Sequence, residues 1–228
     1  MSQGFEGLII GSIEYKEKSK IVELYTPNGR ENVIARGASL VTKGALGFTT
    51  TLNYVNYQKS KASFPVMIEY SIIKSYYFIL DSLKKANAIS IIFQVIKSLD
   101  SNAPHHRIFP FVIKCLDLLE KNSPEYVISI FLIKMLSIYG VQPALKSCVI
   151  CGNDKLVNFS LEEGGALCEN CSNYNEKSYR LFENIRFLYY DKTYEYNNSI
   201  DYLSLLDFIY SYYLRHVNLK LLSYKINI

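Results

Sequence analysis

The chain has 228 residues, 49% of them hydrophobic and 20% charged, which suits one or two packed domains and excludes disorder on a large scale. The net charge of +4 is a mild excess that singles out no nucleic-acid partner by itself. Its distribution says more: residues 1–80 carry nine Lys and Arg against six Glu, whereas residues 81–228 carry sixteen against fifteen acidic groups.

Residues 1–5 lack the positive charge of a secretion signal, and the apolar run at 7–10 is cut by Gly11. Residues 5–15 read as a strand ending in the cluster Lys16-Glu17-Lys18. Residues 20–26 alternate as a second strand, and Pro27-Asn28-Gly29 is a turn signal because Asn-Gly tolerates positive φ. Residues 30–36 return as the third strand. Gly37, Gly44 and Gly47 punctuate a loop, after which 49–58 and 66–74 are rich in Thr, Tyr, Val and Ile. Five short strands at this spacing predict a small closed barrel or a sandwich.

The period changes near Ser75. Residues 76–99 place Leu80, Leu83, Ala88, Ile92 and Val95 or Ile96 near one side of a helix. A second helix is predicted over 107–121, with Pro110 in its first turn. A third is predicted over 124–139, with Ser123 as N-cap, Pro124 at N1 and Gly140 just past its end. Weaker helical patterns cover 177–190 and 199–214, the latter extendable to 223. The apolar runs 89–96 and 128–138 are too short to span a membrane. The expectation is a soluble cytoplasmic protein with no membrane partner, in whose reducing surroundings five cysteines build no disulfide framework.

Four of those cysteines form a pattern. Cys148-Val149-Ile150-Cys151 is followed after sixteen residues by Cys168-Glu169-Asn170-Cys171. Two Cys-x-x-Cys knuckles facing each other supply four sulfurs at tetrahedral positions about 2.3 Å from Zn²⁺, and such a closed site is structural rather than catalytic. Residues 156–161 and 164–167 read as a hairpin between the knuckles, so the segment of about 146–173 looks like a zinc ribbon inserted into a helical domain. Unligated thiols or a redox pair are the competing readings. Cys115, mid-helix among apolar neighbours, reads as a buried core thiol.

No phosphate loop, H-E-x-x-H or G-x-S-x-G elbow is present in the sequence, and no enzyme is expected. His105-His106 point about 100° apart on a helix and read as its solvated start; His216 reads as structural, and Glu162-Glu163 as a solvated tip. Tyr54 and Tyr57 are candidates for base stacking, with packing equally open. The barrel's cations, Lys16, Lys18, Lys20, Arg30, Arg36, Lys43, Lys59 and Lys61, are candidate nucleic-acid contacts set against the reading of an ordinary solvated surface.

Several stretches together resemble the RecO family of recombination mediators. They are Gly7-Leu8-Ile9-Ile10 with Tyr15-Lys16-Glu17-Lys18-Ser19-Lys20; Leu24-Tyr25-Thr26-Pro27-Asn28-Gly29-Arg30 with Ala35-Arg36-Gly37-Ala38; Tyr139-Gly140-Val141-Gln142-Pro143 running into the first knuckle; Phe159-Ser160 with Gly164-Gly165-Ala166-Leu167-Cys168; and Tyr213-Leu214, His216 and Lys220-Leu221-Leu222-Ser223. One stretch departs from the family pattern: after Ala38, where several basic residues are usual, Ser39-Leu40-Val41-Thr42-Lys43 has one. The resemblance implies an α+β chain: an OB-fold barrel over residues 1–78, then an α-helical domain over 79–228 carrying the ribbon. It implies binding of single- and double-stranded DNA, strand annealing, a complex with RecR, and capture of the acidic C-terminal tail of single-strand-binding protein in an apolar groove edged by cations such as Arg186, Arg215 or Lys220. Loading of RecA at gaps and a nucleoid-associated location follow from the same resemblance. A ribbon adaptor that binds no DNA, and an RNA- or transcription-associated OB protein, share these modules.

Overall fold

The computed structural model describes residues 4–38 and 45–225. The chain divides into two compact units, Met1–Ile89 with Phe93–Glu120, and Ser90–Ile92 with Lys121–Ile228.

The first unit is built on β1 (Phe5–Tyr15), β2 (Ser19–Thr26), β3 (Gly29–Arg36), β4 (Asn53–Lys59) and β5 (Met67–Ser75). They form an antiparallel sheet in the order β3-β2-β1-β4-β5. β1 is long because it serves two partners: residues 5–8 pair with β4, and from Leu8 onward it pairs with β2. A register shift between Ile9 and Gly11 lets it bend from one to the other. Ile34 then meets Val66 in a parallel bridge, and its N–H donates to the Pro65 carbonyl at 2.9 Å. That contact joins β3 to β5 and closes the sheet into an OB-fold barrel. Ile9, Val22, Leu24, Val33, Ala35, Phe48, Val55 and Tyr57 fill it.

One local expectation changes. The fourth strand begins at Asn53, because residues 46–49 form a short helix, α1 (Leu46–Thr49), that puts Phe48 into the barrel core. Thr49 and Thr50, strand-favouring residues, instead donate their hydroxyls to the Leu46 carbonyl and end that helix. The β2–β3 hairpin turns at residues 27–29 as expected, with the positive φ, 104°, on Gly29. The Thr26 hydroxyl stabilises the turn by accepting from the Asn28 N–H and donating to the Gly29 carbonyl.

The helix expected over 76–99 is two elements, a 3₁₀ turn Tyr77–Asp81 and α2 (Leu83–Ser98). Between them Ser82 is extended and caps α2 by accepting from the Lys85 N–H. Ala88, Ile92, Val95 and Ile96 are buried as expected, but Leu80 and Leu83 are exposed because the break turns them off the buried face. α3 (His105–Lys121) starts two residues early, so Pro110 sits in its second turn. Without an N–H, Pro110 gives the His106 carbonyl no partner one turn on, and His106 itself is exposed. His105 is not solvated: it is buried, with Nδ1 3.2 Å from the Tyr25 hydroxyl and Nε2 3.0 Å from the Asp100 carbonyl. A neutral ring donating from Nε2 and accepting at Nδ1 satisfies both contacts. Tyr25 and Tyr54 also pack on Phe109. Asp117 accepts from both Lys74 and the Tyr76 hydroxyl at 2.8 Å, tying the end of β5 to α3.

The second unit holds α4 (Pro124–Met135), α5 (Glu176–Tyr190) and α6 (Tyr202–Tyr212), followed by a π turn over Tyr213–Val217. Ser123 caps α4 and Pro124 opens it, but the helix ends at Met135 and passes through turns to Gly140, whose φ is 73°. α4 is buried on nearly every side. Lys134, near its end, donates to the carbonyls of Tyr189 and Asp191 and so caps α5; burial holds its ammonium below the usual lysine range. The last helix stops at Asn218, with φ 56°, rather than running to 223. Among the described residues no helix is long and apolar enough to cross a membrane.

The two adjacent histidines give a direct test. His105→Ala removes a buried ring and leaves the Tyr25 hydroxyl unpaired, so urea unfolding should show a loss of about 2 kcal/mol. His106→Ala should stay within about 0.5 kcal/mol of the parent. Equal effects from the two would contradict the buried network.

Candidate metal centre and nucleic-acid interface

The ribbon grows from two knuckles and a hairpin, β6 (Leu156–Ser160) with β7 (Gly165–Cys168). In the first knuckle the Gly152 N–H donates to the Cys148 carbonyl at 2.9 Å, and the Cys148 N–H returns to the Asn153 carbonyl at 2.8 Å. The turn needs φ of 77° at Gly152, which explains a glycine where no neighbour crowds it. The second knuckle is a 3₁₀ turn over Glu169–Cys171. The Sγ atoms of Cys148, Cys151, Cys168 and Cys171 all lie within 4.8 Å of one another. Cys151 and Cys168 are 3.5 Å apart, far beyond an S–S bond of about 2.05 Å. Four sulfurs at about 2.3 Å from a central ion would be separated by about 3.8 Å.

The electrostatics point the same way. Burial opposes the Cys148 thiolate, but N–H groups of Cys151, Cys168 and Ile150, with the Cys151 thiol, outweigh it and bring the group down to about 6. The bond to the Cys151 thiol, with burial second, pushes Cys171 up to about 12. The cluster therefore ionises only in part by itself, and a divalent cation would supply the charge that lets all four ionise. The fifth cysteine, Cys115, is fully buried in α3 and burial pushes its thiol up, as a core residue should behave.

The ribbon is fastened to its unit at several points. Ala144 bridges Gly165 in parallel, accepting from the Ala166 N–H at 2.8 Å. A Cβ on Gly165 would sit 3.0 Å from the Ala144 carbonyl oxygen, so the approach requires glycine. The Tyr212 hydroxyl donates to the Val141 carbonyl at 3.0 Å, His216 Nε2 to the Leu161 carbonyl at 2.7 Å, and Arg215 pairs with Glu162 at 2.9 Å. His216 is thus structural, as expected, and Glu162 and Glu163 are solvated as expected, with Glu162 also paired with Arg215.

On the barrel, pairing register defines the outer face. Residues opposite one another on neighbouring strands share a face. Tyr15, Ser19 and Arg36 form one row; Ile13, Ile21 and Ile34 form the next, which the β3–β5 bridge continues to Val66. Ala35, between the two rows on β3, and Val22 and Val33, on the far side of the isoleucine row, are buried, so on β2 and β3 the isoleucine row and Arg36 face outward. Ile13 is 65% exposed.

The eight candidate cations divide around this surface. Lys16 and Lys18 stand exposed at the β1–β2 turn, with Lys16 over the Tyr15 ring, and Arg36 is exposed beside Ser19. Lys61 is exposed on the loop between β4 and β5. Among the described residues Lys18, Arg36 and Lys61 have no ion pair. Lys20 is paired with Glu14 at 3.0 Å, and Lys59 with Glu31. Arg30 lies toward the opposite end of β3, held by Glu23 at 3.1 Å. Lys43 lies outside the described residues. Tyr57 is buried and donates to Glu31, and half-buried Tyr54 donates to Glu6 at 2.6 Å, so packing and hydrogen bonding occupy both tyrosines. Sequence reasoning passed over the isoleucine row and Phe64, which is 71% exposed on the loop beside Lys61. The cross-strand rows depend on register, which the sequence does not print; the Phe64-Pro65 pair next to lysines was the available signal.

Comparison with known proteins agrees with this architecture. Residues 1–76 match the family described as recombination protein O N terminal, and residues 81–225 match recombination protein O C terminal. The DNA repair protein RecO of Halalkalibacterium halodurans is 25% identical over 182 residues, 77% of this chain and 71% of that protein. That of Exiguobacterium sibiricum is 27% identical over 205 residues, 84% of this chain and 80% of its own length. The Rhodopirellula baltica protein is 24% identical over 175 residues, or 72% and 65%. A closed five-stranded barrel, a helical unit with a four-cysteine ribbon, and two family matches that together span nearly the whole sequence place this chain in the RecO family.

Proposed function

We propose that this DNA-repair protein is a non-catalytic recombination mediator, which binds single- and double-stranded DNA on the barrel, anneals complementary strands and acts with RecR to load RecA on gaps coated by single-strand-binding protein. The observation that carries the reading is the outer barrel face, where an apolar row is flanked by Lys16, Lys18, Arg36 and Lys61. Cations track a phosphate backbone without reading sequence, and apolar and aromatic surface takes the bases. Lys20, Arg30 and Lys59 contribute less, since each is engaged by a carboxylate. The work is done in the cytoplasm at the nucleoid. Annealing of complementary strands coated with single-strand-binding protein tests the reading; a protein that fails to accelerate it is not a mediator of this kind.

The four thiolates hold one structural Zn²⁺, which fixes the ribbon and takes no part in chemistry. Purified protein should carry about one zinc per chain. Cys148→Ser should lose most of it and expose the ribbon to protease while the barrel stays folded; Cys115→Ser should keep it. Full zinc in Cys148→Ser would sink the assignment.

On DNA, Lys18→Glu with Arg36→Glu should weaken binding to any sequence. The salt slope on single strands should fall in magnitude by up to about 0.7 for each lost phosphate contact. Arg30→Glu, at the other end of β3, should matter less. Parent-like binding by the double variant at every salt concentration would move the site elsewhere.

For the partner tail, the groove that fits is one of about 540 Å³ beside the ribbon, lined by Pro143, Leu145, Lys146, Val149, Tyr189 and Tyr190 among others. It is apolar and aromatic, edged by a cation, and lined by no carboxylate. Arg186 and Arg215 are paired with Glu183 and Glu162, and neither they nor Lys220 line it. A labelled acidic tail peptide should bind the full chain, and Lys146→Glu should weaken it at least tenfold by anisotropy. An unchanged affinity would exclude this groove.

A further inference from the structure

We infer that Phe64 is a base-stacking platform, the residue that makes the barrel face prefer single-stranded over double-stranded DNA. The inference rests on the reading of the barrel as a DNA-binding face and adds to it a specific residue and a discrimination.

A single exposed phenylalanine is not unusual on a protein surface. This one is held in place. The loop between β4 and β5 is pinned at its base, where the Ser60 N–H donates to the Val66 carbonyl at 2.9 Å and the Val66 N–H to the Ser60 hydroxyl at 3.0 Å. Pro65, whose carbonyl accepts from Ile34, anchors the loop to β3. The following proline disfavours helical backbone at Phe64, which ends the bend over residues 61–64 and is restrained from both sides. An apolar ring on a restrained loop, 71% exposed, loses little conformational freedom when a flat partner lands on it.

The surroundings suit a nucleotide. Between this loop and β3 lies a cleft of about 500 Å³ lined by Glu31, Asn32, Lys59, Lys61 and Phe64 among others, within the roughly 300–1,000 Å³ typical of small-ligand sites. Lys59 neutralises Glu31, Lys61 at the rim has no ion pair among the described residues, and Asn32 offers an exposed amide. Beyond Val66 the isoleucine row continues across β2 and β1. A strand of nucleic acid can place a phosphate at Lys61 and a base on Phe64. Bases inside a duplex are already stacked on their neighbours and cannot reach the ring, so the contact belongs to single strands alone. The cations serve both forms of DNA.

The chain contains no tryptophan, so Phe64→Trp creates a unique fluorophore at the site. Its emission should be quenched by unlabelled oligo(dT) and much less by a blunt duplex. Phe64→Ala and Phe64→Leu should weaken binding to labelled oligo(dT) roughly tenfold, the lower part of what one stacked base supplies. Their duplex affinity should stay within about twofold and their salt slope should be unchanged. Single-strand affinity equal to the parent's, or equal losses on both forms of DNA, overturns the stacking assignment while leaving the barrel reading intact. A parent chain that binds neither form overturns both.

Discussion

The closure of β3 on β5 is the contact on which the first unit's surface depends. Without the Ile34–Val66 bridge and the Ile34 to Pro65 hydrogen bond, the five strands would form an open sheet with two unpaired edges, a poor basis for a solitary domain. With it, β3, whose end the β2 pairing already sets beside the β1–β2 turn, also comes beside the β4–β5 loop. Residues far apart in sequence then share one face: Tyr15 and Arg36 through Ser19, Ile13 and Val66 through Ile21 and Ile34. The same closure pins the loop that carries Phe64. The barrel's hydrogen bonding and its proposed binding surface are thus consequences of one pairing.

The ribbon obeys a different constraint. Four thiols lie within 4.8 Å of one another, and N–H donation favours the thiolate at Cys148 while the Cys151 thiol and burial oppose it at Cys171. Its own core is small, Leu156 and Leu167 with the cysteines, too little apolar surface to hold a hairpin alone. Docking supplies part of its stability through Tyr212, His216, Arg215 and the glycine approach at Gly165, which converge on it, and the proposed metal would supply the rest. His216 and Tyr212 are also ring neighbours, with centroids 4.3 Å apart. This side of the ribbon is committed to its unit, leaving the side of Pro143, Val149 and Tyr190 to form the groove.

Much of this was legible in the sequence because the signals were local. The double Cys-x-x-Cys, the Ser123-Pro124 helix start and the turn at residues 27–29 each specify their geometry within a few residues. What was not legible depended on distant partners. His105 and His106 look alike in sequence, and only the arrival of Tyr25 and the Asp100 carbonyl separates a buried ring from a solvated one. Thr49 and Thr50 favour a strand by propensity, yet the barrel needed Phe48 as a plug and used them to end a helix turn. The cations were visible as a set; which of them are committed to Glu14, Glu23 or Glu31 was a matter of register.

That sorting has a consequence for how the face can work. Among the described residues, four of the candidate cations around the apolar row, Lys16, Lys18, Arg36 and Lys61, make no ion pair with a carboxylate. At about 0.7 per contact on single strands, they support a salt slope of at most about −3, modest beside proteins that grip many phosphates. Electrostatics of this size steer a strand to the barrel and leave it exchangeable. Apolar and aromatic contacts, which salt scarcely screens, must then supply the rest of the affinity, and they do so only while bases are unpaired. When two complementary strands pair, each base withdraws into its own stack and those contacts are lost. On the proposed reading, a surface built this way would hold single strands more firmly than the duplex they form, so that annealing would release its own product with no covalent chemistry or nucleotide hydrolysis to drive the release.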